Sequence, residues 1–272
     1  MVKCGITGFN GNLGKTFLIY KKNFQYVKFK GDIRKKKEIE HWIKNNNFDI
    51  LIHFAALVPT SIVNRNYKKA LNVNFKGTKY LVDAIIKHKK KIDWLFFSST
   101  SHVYSLQNKK IKENFKTYPS SKYGKTKLLA ENYINKKFKN FQIKYCIGRI
   151  FSIFDNKDDG FFTPSLIKKI KKIKKKQKKI VLDNLNHNRD FLSTKQISEI
   201  IFYLFKIKFT GTINIASGKK TNLRNIAKIF AGKLGKEVIF SENYPTSQIA
   251  NISKLKRLGY KQKVLNFRRF FN

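Results

Sequence analysis

Tyr123 precedes Lys127 by four residues in the stretch SKYGKTK, residues 121–127. On a helix, residues so spaced project from one face, about 6 Å apart along the axis. The chemistry such a pair could perform is proton exchange at a phenol. A tyrosine with a pKa of about 10 needs about 4 kcal/mol to ionise near neutrality. One ammonium at ~5 Å, in an effective dielectric of ~20, supplies about 3 kcal/mol of that. Spacing alone does not establish the pair, because 51 lysines and 12 tyrosines in 272 residues produce about two such spacings by chance. Tyr118 and Lys122 form another copy, but Pro119 disfavours the α conformation at residue 118 and takes that copy off a shared helical face.

A second group of residues provides a place for a reaction partner. TGFNGNLG, residues 7–14, carries Gly8, Gly11 and Gly14 between an apolar strand pattern and a helical one. The first glycine allows a tight turn, the next admits a phosphate close to the backbone, and the third lets helix and strand pack together. The helix then offers free N–H groups and its positive end to a pyrophosphate. This pattern predicts dinucleotide binding, and an oxidised nicotinamide would add a second positive charge beside the phenol. No acid closes the next strand. The nearest is Asp32 in GDIR, placed to meet an adenine edge, whereas Lys28 and Lys30 could accept a 2′-phosphate, so NAD and NADP both remain open.

A third group, FFSSTSHVYS at 96–105, ends an apolar run in hydroxyls. Ligands sit at the carboxyl ends of strands in open parallel sheets, so Ser99, Thr100 and Ser101 are expected to face the nicotinamide, with Thr100 sharing the substrate's oxygen with Tyr123.

Positioning these groups requires an α/β scaffold. Strand patterns at 2–7, 24–30, 49–55, 92–99, 143–151 and 211–217 alternate with helical ones at 12–22, 35–46, 66–89, 122–138, 194–207 and 221–234. Such alternation implies a doubly wound (Rossmann) parallel sheet covered on both faces. Residues 1–152, with 190–217 contributing, are expected to form the dinucleotide-binding domain. Residues 153–189 and 218–272 are expected to form a smaller, interleaved C-terminal substrate-binding portion.

Composition narrows the class. Cys4 and Cys146 each lie in a strand pattern, which argues for buried free thiols and a reducing compartment. No apolar run approaches the ~20 residues needed to cross a bilayer, and the expectation is a cytoplasmic protein without a membrane partner. The net charge of +43 invites a nucleic-acid reading, yet the lysines are spread along the whole chain. In the densest run, 165–179, Leu166, Ile167, Ile170 and Ile173 recur at helical spacing, as expected of one packed stripe under a solvated surface. A positive field favours anionic substrates such as nucleotide diphosphates. A non-catalytic dinucleotide-binding regulator that binds nucleic acid stays open as the alternative.

Taken in order, TGFNGNLG, GDIR, HFAALV, NVNFKGT, SSTSHVY, YGKTKLLAE, GRIF, RDFLST and NIASGKKTNL resemble the extended short-chain dehydrogenase/reductases that modify nucleotide sugars, the NAD-dependent epimerases/dehydratases. The resemblance spans nearly the whole chain. It implies that Tyr123 is the general acid/base, that Lys127 holds the cofactor ribose and lowers the tyrosine's pKa, and that Thr100 is the third catalytic hydroxyl. It implies an NAD or NADP site formed by Gly8, Gly11, Asn12, Leu13, Gly14, Asp32, Ile33, Phe54, Ala55, Ala56, Asn74 and Phe151. It also implies a nucleotide-sugar substrate met by His102 and Arg189, the latter on the diphosphate. No metal and no nucleic acid enter, and helices near 66–89 and 122–138 form a homodimer contact in similar proteins. A place in cell-surface polysaccharide biosynthesis would follow. Dehydratases of the family carry a Thr-Asp-Glu run where this chain has Thr100, Ser101 and His102, which disfavours dehydration. The short segment before Asp32 resembles 4-keto-sugar reductases, while HFAALV and RDFLST resemble C4 epimerases. Ser152 stands where many epimerases carry a substrate-binding Asn.

Overall fold

The computed structural model of the protein describes residues 1–58, 60–155, 162–172, 179–262, 265 and 267. The chain folds into two compact units: residues 1–105, 116–150 and 194–215 form the first, and 106–115, 151–193 and 216–272 the second.

The first unit is built on six parallel strands, all at the positions expected from the alternating patterns. These are β1 (Lys3–Thr7), β2 (Gln25–Lys28), β3 (Ile50–His53), β4 (Trp94–Thr100), β5 (Tyr145–Ile150) and a last strand, Gly211–Ile215. Their order across the sheet is Gly211–Ile215, β5, β4, β3, β1, β2. The chain moves outward from β1 to β2 and then crosses to β3 on the other side. The strand order therefore reverses between β1 and β3, where ligands bind in such sheets.

Helices cover both faces. Helix α1 (Asn12–Tyr20) follows β1, and α2 (Lys36–Asn45) buries Ile39, Trp42 and Ile43 at three- and four-residue spacing. The predicted 66–89 helix is not one regular rod. Short helices α3 (Thr60–Arg65) and α4 (Tyr67–Leu71) lead into a π-helical turn at Asn72–Lys76, and α5 (Gly77–Lys87) completes the segment. Helix α6 (Lys122–Asn140) starts after Tyr118, which is exposed. One core cluster joins α2, α5 and α6 to Leu51, Leu95, Phe97 and Ile147 of the strands. Cys4 and Cys146 are buried thiols not joined in a disulfide, as expected.

The second unit holds a three-stranded sheet (Thr221–Asn222, His187–Arg189, Thr246–Gln248) and a parallel pair, Lys179–Leu182 with Glu237–Phe240. Its core packs helix Phe162–Lys171 with helix Leu223–Lys233. Of the expected apolar stripe in the lysine run, Leu166 and Ile170 are buried and Ile167 packs beside them, while residue 173 lies outside the described residues. Among the described residues no helix is long and apolar enough to cross a membrane.

Candidate active site

The glycine turn leaves the carboxyl end of β1 at the reversal point. Gly8 adopts φ +70°, and a Cβ there would stand 2.5 Å from Ala55 N, so this position requires glycine. A Cβ on Gly14 would stand 2.4 Å from Gly8 O, which places α1 against the turn. Gly11 differs: its φ is −74°, and a Cβ there would meet nothing nearer than Gly8 O at 3.5 Å. Its lack of a side chain leaves open space in front of α1, whose N-cap makes no side-chain hydrogen bond. The buried Asn12 Nδ2 finds no hydrogen-bond partner among the described residues. An open cradle, uncapped N–H groups and an orphaned amide donor fit a dinucleotide pyrophosphate.

The turn is tied to β3 and α5 through His53, which is 1% exposed. Thr78 Oγ1 donates to Asn74 O (2.8 Å) and accepts from His53 Nε2 (2.9 Å); His53 Nδ1 then accepts from Thr7 Oγ1 (2.6 Å). This assigns a neutral imidazole. Burial, aided by the charge of Lys127, lowers its pKa to about 3. The loop after β3 is held next: Phe54 N donates to Thr7 O, Ala55 N to Thr7 Oγ1, and Leu57 N to Asn74 Oδ1 at 2.7 Å. Asn74 sits in the π-helical turn, wholly buried, and its amide also donates to Leu57 O and Thr126 Oγ1. Ala56 lies in the same half-buried loop, as Leu13 does in the first turn of α1. The Phe54 ring packs edge-on against Phe17 and Phe96.

Two predicted cofactor residues have other partners as well. The Asp32 carboxylate is gripped by the Arg34 guanidinium, whose hydrogen bonds lower its pKa to about 2. The Ile33 side chain belongs to the core and packs under Gly77. At the exposed end of β2, Lys28 Nζ lies 5.6 Å from the centre of the Phe9 ring in the glycine turn.

His102 joins the strand end to the tyrosine. Thr100 Oγ1 accepts from His102 N (3.3 Å), and His102 O accepts from Ser120 N (3.1 Å). Ser121, the N-cap of α6, accepts from Gly124 N (3.0 Å) and lies 3.1 Å from His102 Nδ1. The His102 and Tyr123 rings meet edge-on at 6.0 Å. Thr100, His102 and Tyr123 are thereby brought together. Ser99 turns away: side chains alternate along a strand, and its hydroxyl donates to Glu131.

Tyr123 and Lys127 share the face expected of them on α6, but their acidities shift against expectation. Burial pushes the Tyr123 hydroxyl above its ordinary range. Burial also draws the Lys127 ammonium, 1% exposed, down to about 7, with Glu131 opposing. The lysine lies 4.1 Å from the centre of the Phe97 ring. Burial alone sets the shift at the phenol, which stays protonated at neutral pH. Reasoning from the sequence missed Glu131 and Arg149, buried polar residues behind this pair; the spacing of Lys127 and Glu131, again four, was the available signal.

In the second unit, Phe151 is 6% exposed. Arg189 does not need Asp190 as a partner. Its Nη1 donates to Asn188 O and Thr246 Oγ1, while the Asp190 carboxylate accepts from Ser217, Gly218 and Ala250.

Residues 5–268 match the family described as GDP-mannose 4,6 dehydratase. A GDP-6-deoxy-D-talose 4-dehydrogenase from Aggregatibacter actinomycetemcomitans is 30% identical over 229 residues, covering 80% of this chain and 75% of that protein. A putative UDP-glucose 4-epimerase from Methanocaldococcus jannaschii is 27% identical over 243 residues, covering 86% and 78%. The structure of RMD from Pseudomonas aeruginosa complexed with NADPH superimposes with a TM-score of 0.87 at 18% identity, over 99% of this chain and 97% of that one; at that identity the likeness speaks for the fold alone. With a family match running almost end to end, the chain belongs to the GDP-mannose 4,6-dehydratase family, among the extended short-chain dehydrogenase/reductases that act on nucleotide sugars.

Proposed function

We propose that the protein is an NAD(P)-dependent enzyme that exchanges a hydride at a carbon of a nucleotide sugar, as a C4 epimerase or a 4-keto-sugar reductase. The observation that carries this is the joining of strand end and tyrosine through His102, beside a glycine turn open to a pyrophosphate. When bound, the dinucleotide supplies hydride exchange at the sugar carbon. Tyr123 Oη passes a proton to or from the oxygen on that carbon, and Thr100 Oγ1 shares the same oxygen. Burial keeps the phenol protonated, the form needed to donate to a carbonyl oxygen. The Lys127 ammonium steadies charge that develops on the phenol and holds a ribose hydroxyl. Arg189 offers a guanidinium fork to the diphosphate. Ser101 and His102 supply neither of the acids that dehydration uses, which supports epimerisation or reduction. The resemblance implies a dimer contact through the helices near 66–89 and 122–138, and a cytoplasmic homodimer is our reading here.

The test is incubation of the purified protein with UDP-, dTDP-, GDP- and CDP-sugars, including 4-keto forms, while reduced nicotinamide is followed. Net consumption identifies a reductase, and altered sugar stereochemistry without consumption an epimerase. No change with any of them, together with a salt-sensitive gel shift of DNA or RNA, would favour a non-catalytic nucleotide-binding role.

A further inference from the structure

The second unit contains a concave pocket that the proposed reaction does not use. Its volume is about 450 Å³, within the range of small-molecule sites. Lys110, Lys219, Lys256 and Lys261 line it, together with Ile252 and Tyr260. No acidic residue lines it, and none of the residues assigned above to cofactor or sugar nucleotide does. Four of its nine lining residues are lysines, against 51 of 272 in the chain. With 59 basic residues to 16 acidic ones, an unpaired lysine is ordinary in this protein; four gathered in one concavity are not.

The walls are fixed by hydrogen bonds and close packing. Asp190, 0% exposed, accepts from Ser217 N (2.7 Å), Ser217 Oγ (2.6 Å) and Gly218 N (2.9 Å), which shapes the turn that carries Lys219. Gly218 takes φ +73°, and a Cβ there would stand 2.9 Å from the Ile252 side chain, so the turn lies directly on that apolar residue. Gly218 O accepts from Lys110 Nζ (2.9 Å). The segment carrying Lys110 is tied down as well: Ile111 N donates to Ile249 O and Asn251 N to Ile111 O, both at 2.8 Å. The short helix Ser253–Arg257 holds Lys256, and Gly259 at φ +92° then turns the chain back, so that Tyr260 N reaches Leu255 O (3.3 Å). That reversal brings Tyr260 and Lys261 to the pocket.

A concavity lined by one sign of charge concentrates counter-ions, and ammonium groups bind phosphate oxygens as point charges. Lys110 commits one N–H to Gly218 O. Lys219, Lys256 and Lys261 are exposed and have no carboxylate partner among the described residues. Three cations match a diphosphate group, with about three negative charges at neutral pH, better than a single carboxylate. A nucleic acid needs a groove that follows its backbone, which a pocket of this volume does not provide. We propose that this pocket is a second anion site, built for the diphosphate group of a free or nucleotide-borne diphosphate. Ile252 and the Tyr260 ring offer an apolar surface to the nucleoside of the latter.

The experiment uses the full chain saturated with NADPH, in 0.15 M salt, titrated by calorimetry with inorganic diphosphate and separately with uridine and guanosine diphosphates. Lysine acetylation, read by mass spectrometry, locates the bound anion. At saturation, acetylation of Lys219, Lys256 and Lys261 should fall at least about threefold, with Lys44, Lys91 and Lys139 unchanged. Replacing Lys219, Lys256 and Lys261 together by glutamine should weaken binding at least about tenfold. The same replacement of Lys44, Lys91 and Lys139, which are also exposed, should change it less than about twofold, since distant surface charges are screened. Tighter binding of the nucleoside diphosphates than of inorganic diphosphate would identify a nucleotide ligand, and equal binding a free diphosphate. Equal losses in the two triple variants, or no protection of the pocket lysines, would show attraction to the overall positive field and overturn the proposal.

Discussion

The Cβ that Gly124 lacks would stand 2.1 Å from the carbonyl oxygen of His102. Helix α6 therefore enters the site in direct backbone contact with the strand-end loop, and the neighbouring Tyr123 is placed by that contact. Alanine in a helix ordinarily stabilises by about 1 kcal/mol relative to glycine. Here the obstacle is backbone, which does not swing aside, so Gly124→Ala should destabilise by about 1–3 kcal/mol in urea denaturation. Turnover should fall at least about tenfold, because small misplacements of reacting groups are costly. An alanine variant equal to wild type in both would mean that the contact does not set the tyrosine's position.

Under the proposed mechanism, Tyr123→Phe removes the atom that transfers the proton and little else. Turnover should fall by about 10²–10⁴, while NADPH affinity, read by fluorescence titration, stays within about threefold. Near-normal turnover would falsify the acid/base assignment.

Cofactor choice follows from the end of β2. Lys28 and Lys30 are exposed there, and Asp32 is occupied by Arg34. A 2′-phosphate should find two cations and no competing free carboxylate, so NADPH should bind more tightly than NADH. Replacing both lysines with glutamate should weaken NADPH by at least about tenfold, from roughly 1 kcal/mol per exposed pair, and change NADH much less. Equal loss of both cofactors would assign the lysines to general field strength.

The neutral His53 predicts a pH dependence of stability. Its folded pKa of about 3 lies below the ordinary value of 6.5. Below pH 6.5 the unfolded chain therefore binds the extra proton, and stability declines as pH falls from 6.5 towards 3, with no effect above 7. Between pH 7 and pH 5 this amounts to about 2 kcal/mol. His53→Gln should be less stable at pH 7 but lose about that much less over the same interval. Equal slopes for the two proteins would show that His53 is protonated in the fold.

Most of what positions the site was legible because it rests on local rules. Gly8 and Gly14 occupy their turn for the steric reasons that their spacing announced, and the helical tyrosine copy is Tyr123, the one that no proline directly follows. Strands β1, β3, β4 and β5 were readable because each is buried along nearly all its length, whereas β2, which buries none of its residues fully, and the last strand were readable from their place in the alternation. What was hidden depends on contacts distant in sequence. Ser99 and Thr100 look alike in the sequence, yet one turns to Glu131 and the other to His102. The small strands of the second unit are two to four residues long and mixed in polarity, too short for a period to register. The acidity of Tyr123 depends on how much of the ring the fold encloses, which spacing to Lys127 does not report.

The π-helical turn at Asn72–Lys76 has an implication for anyone who edits this region. A wide turn accommodates one residue more than a regular one, so the segments before and after it are out of phase by roughly 100°. Asn74 can hold the Leu57 loop only because the following helix still directs Leu81, Val82 and Ile85 inward. Deleting a single residue here, harmless in many surface helices, would rotate either the amide or the apolar stripe out of place. Length at this point is as constrained as identity.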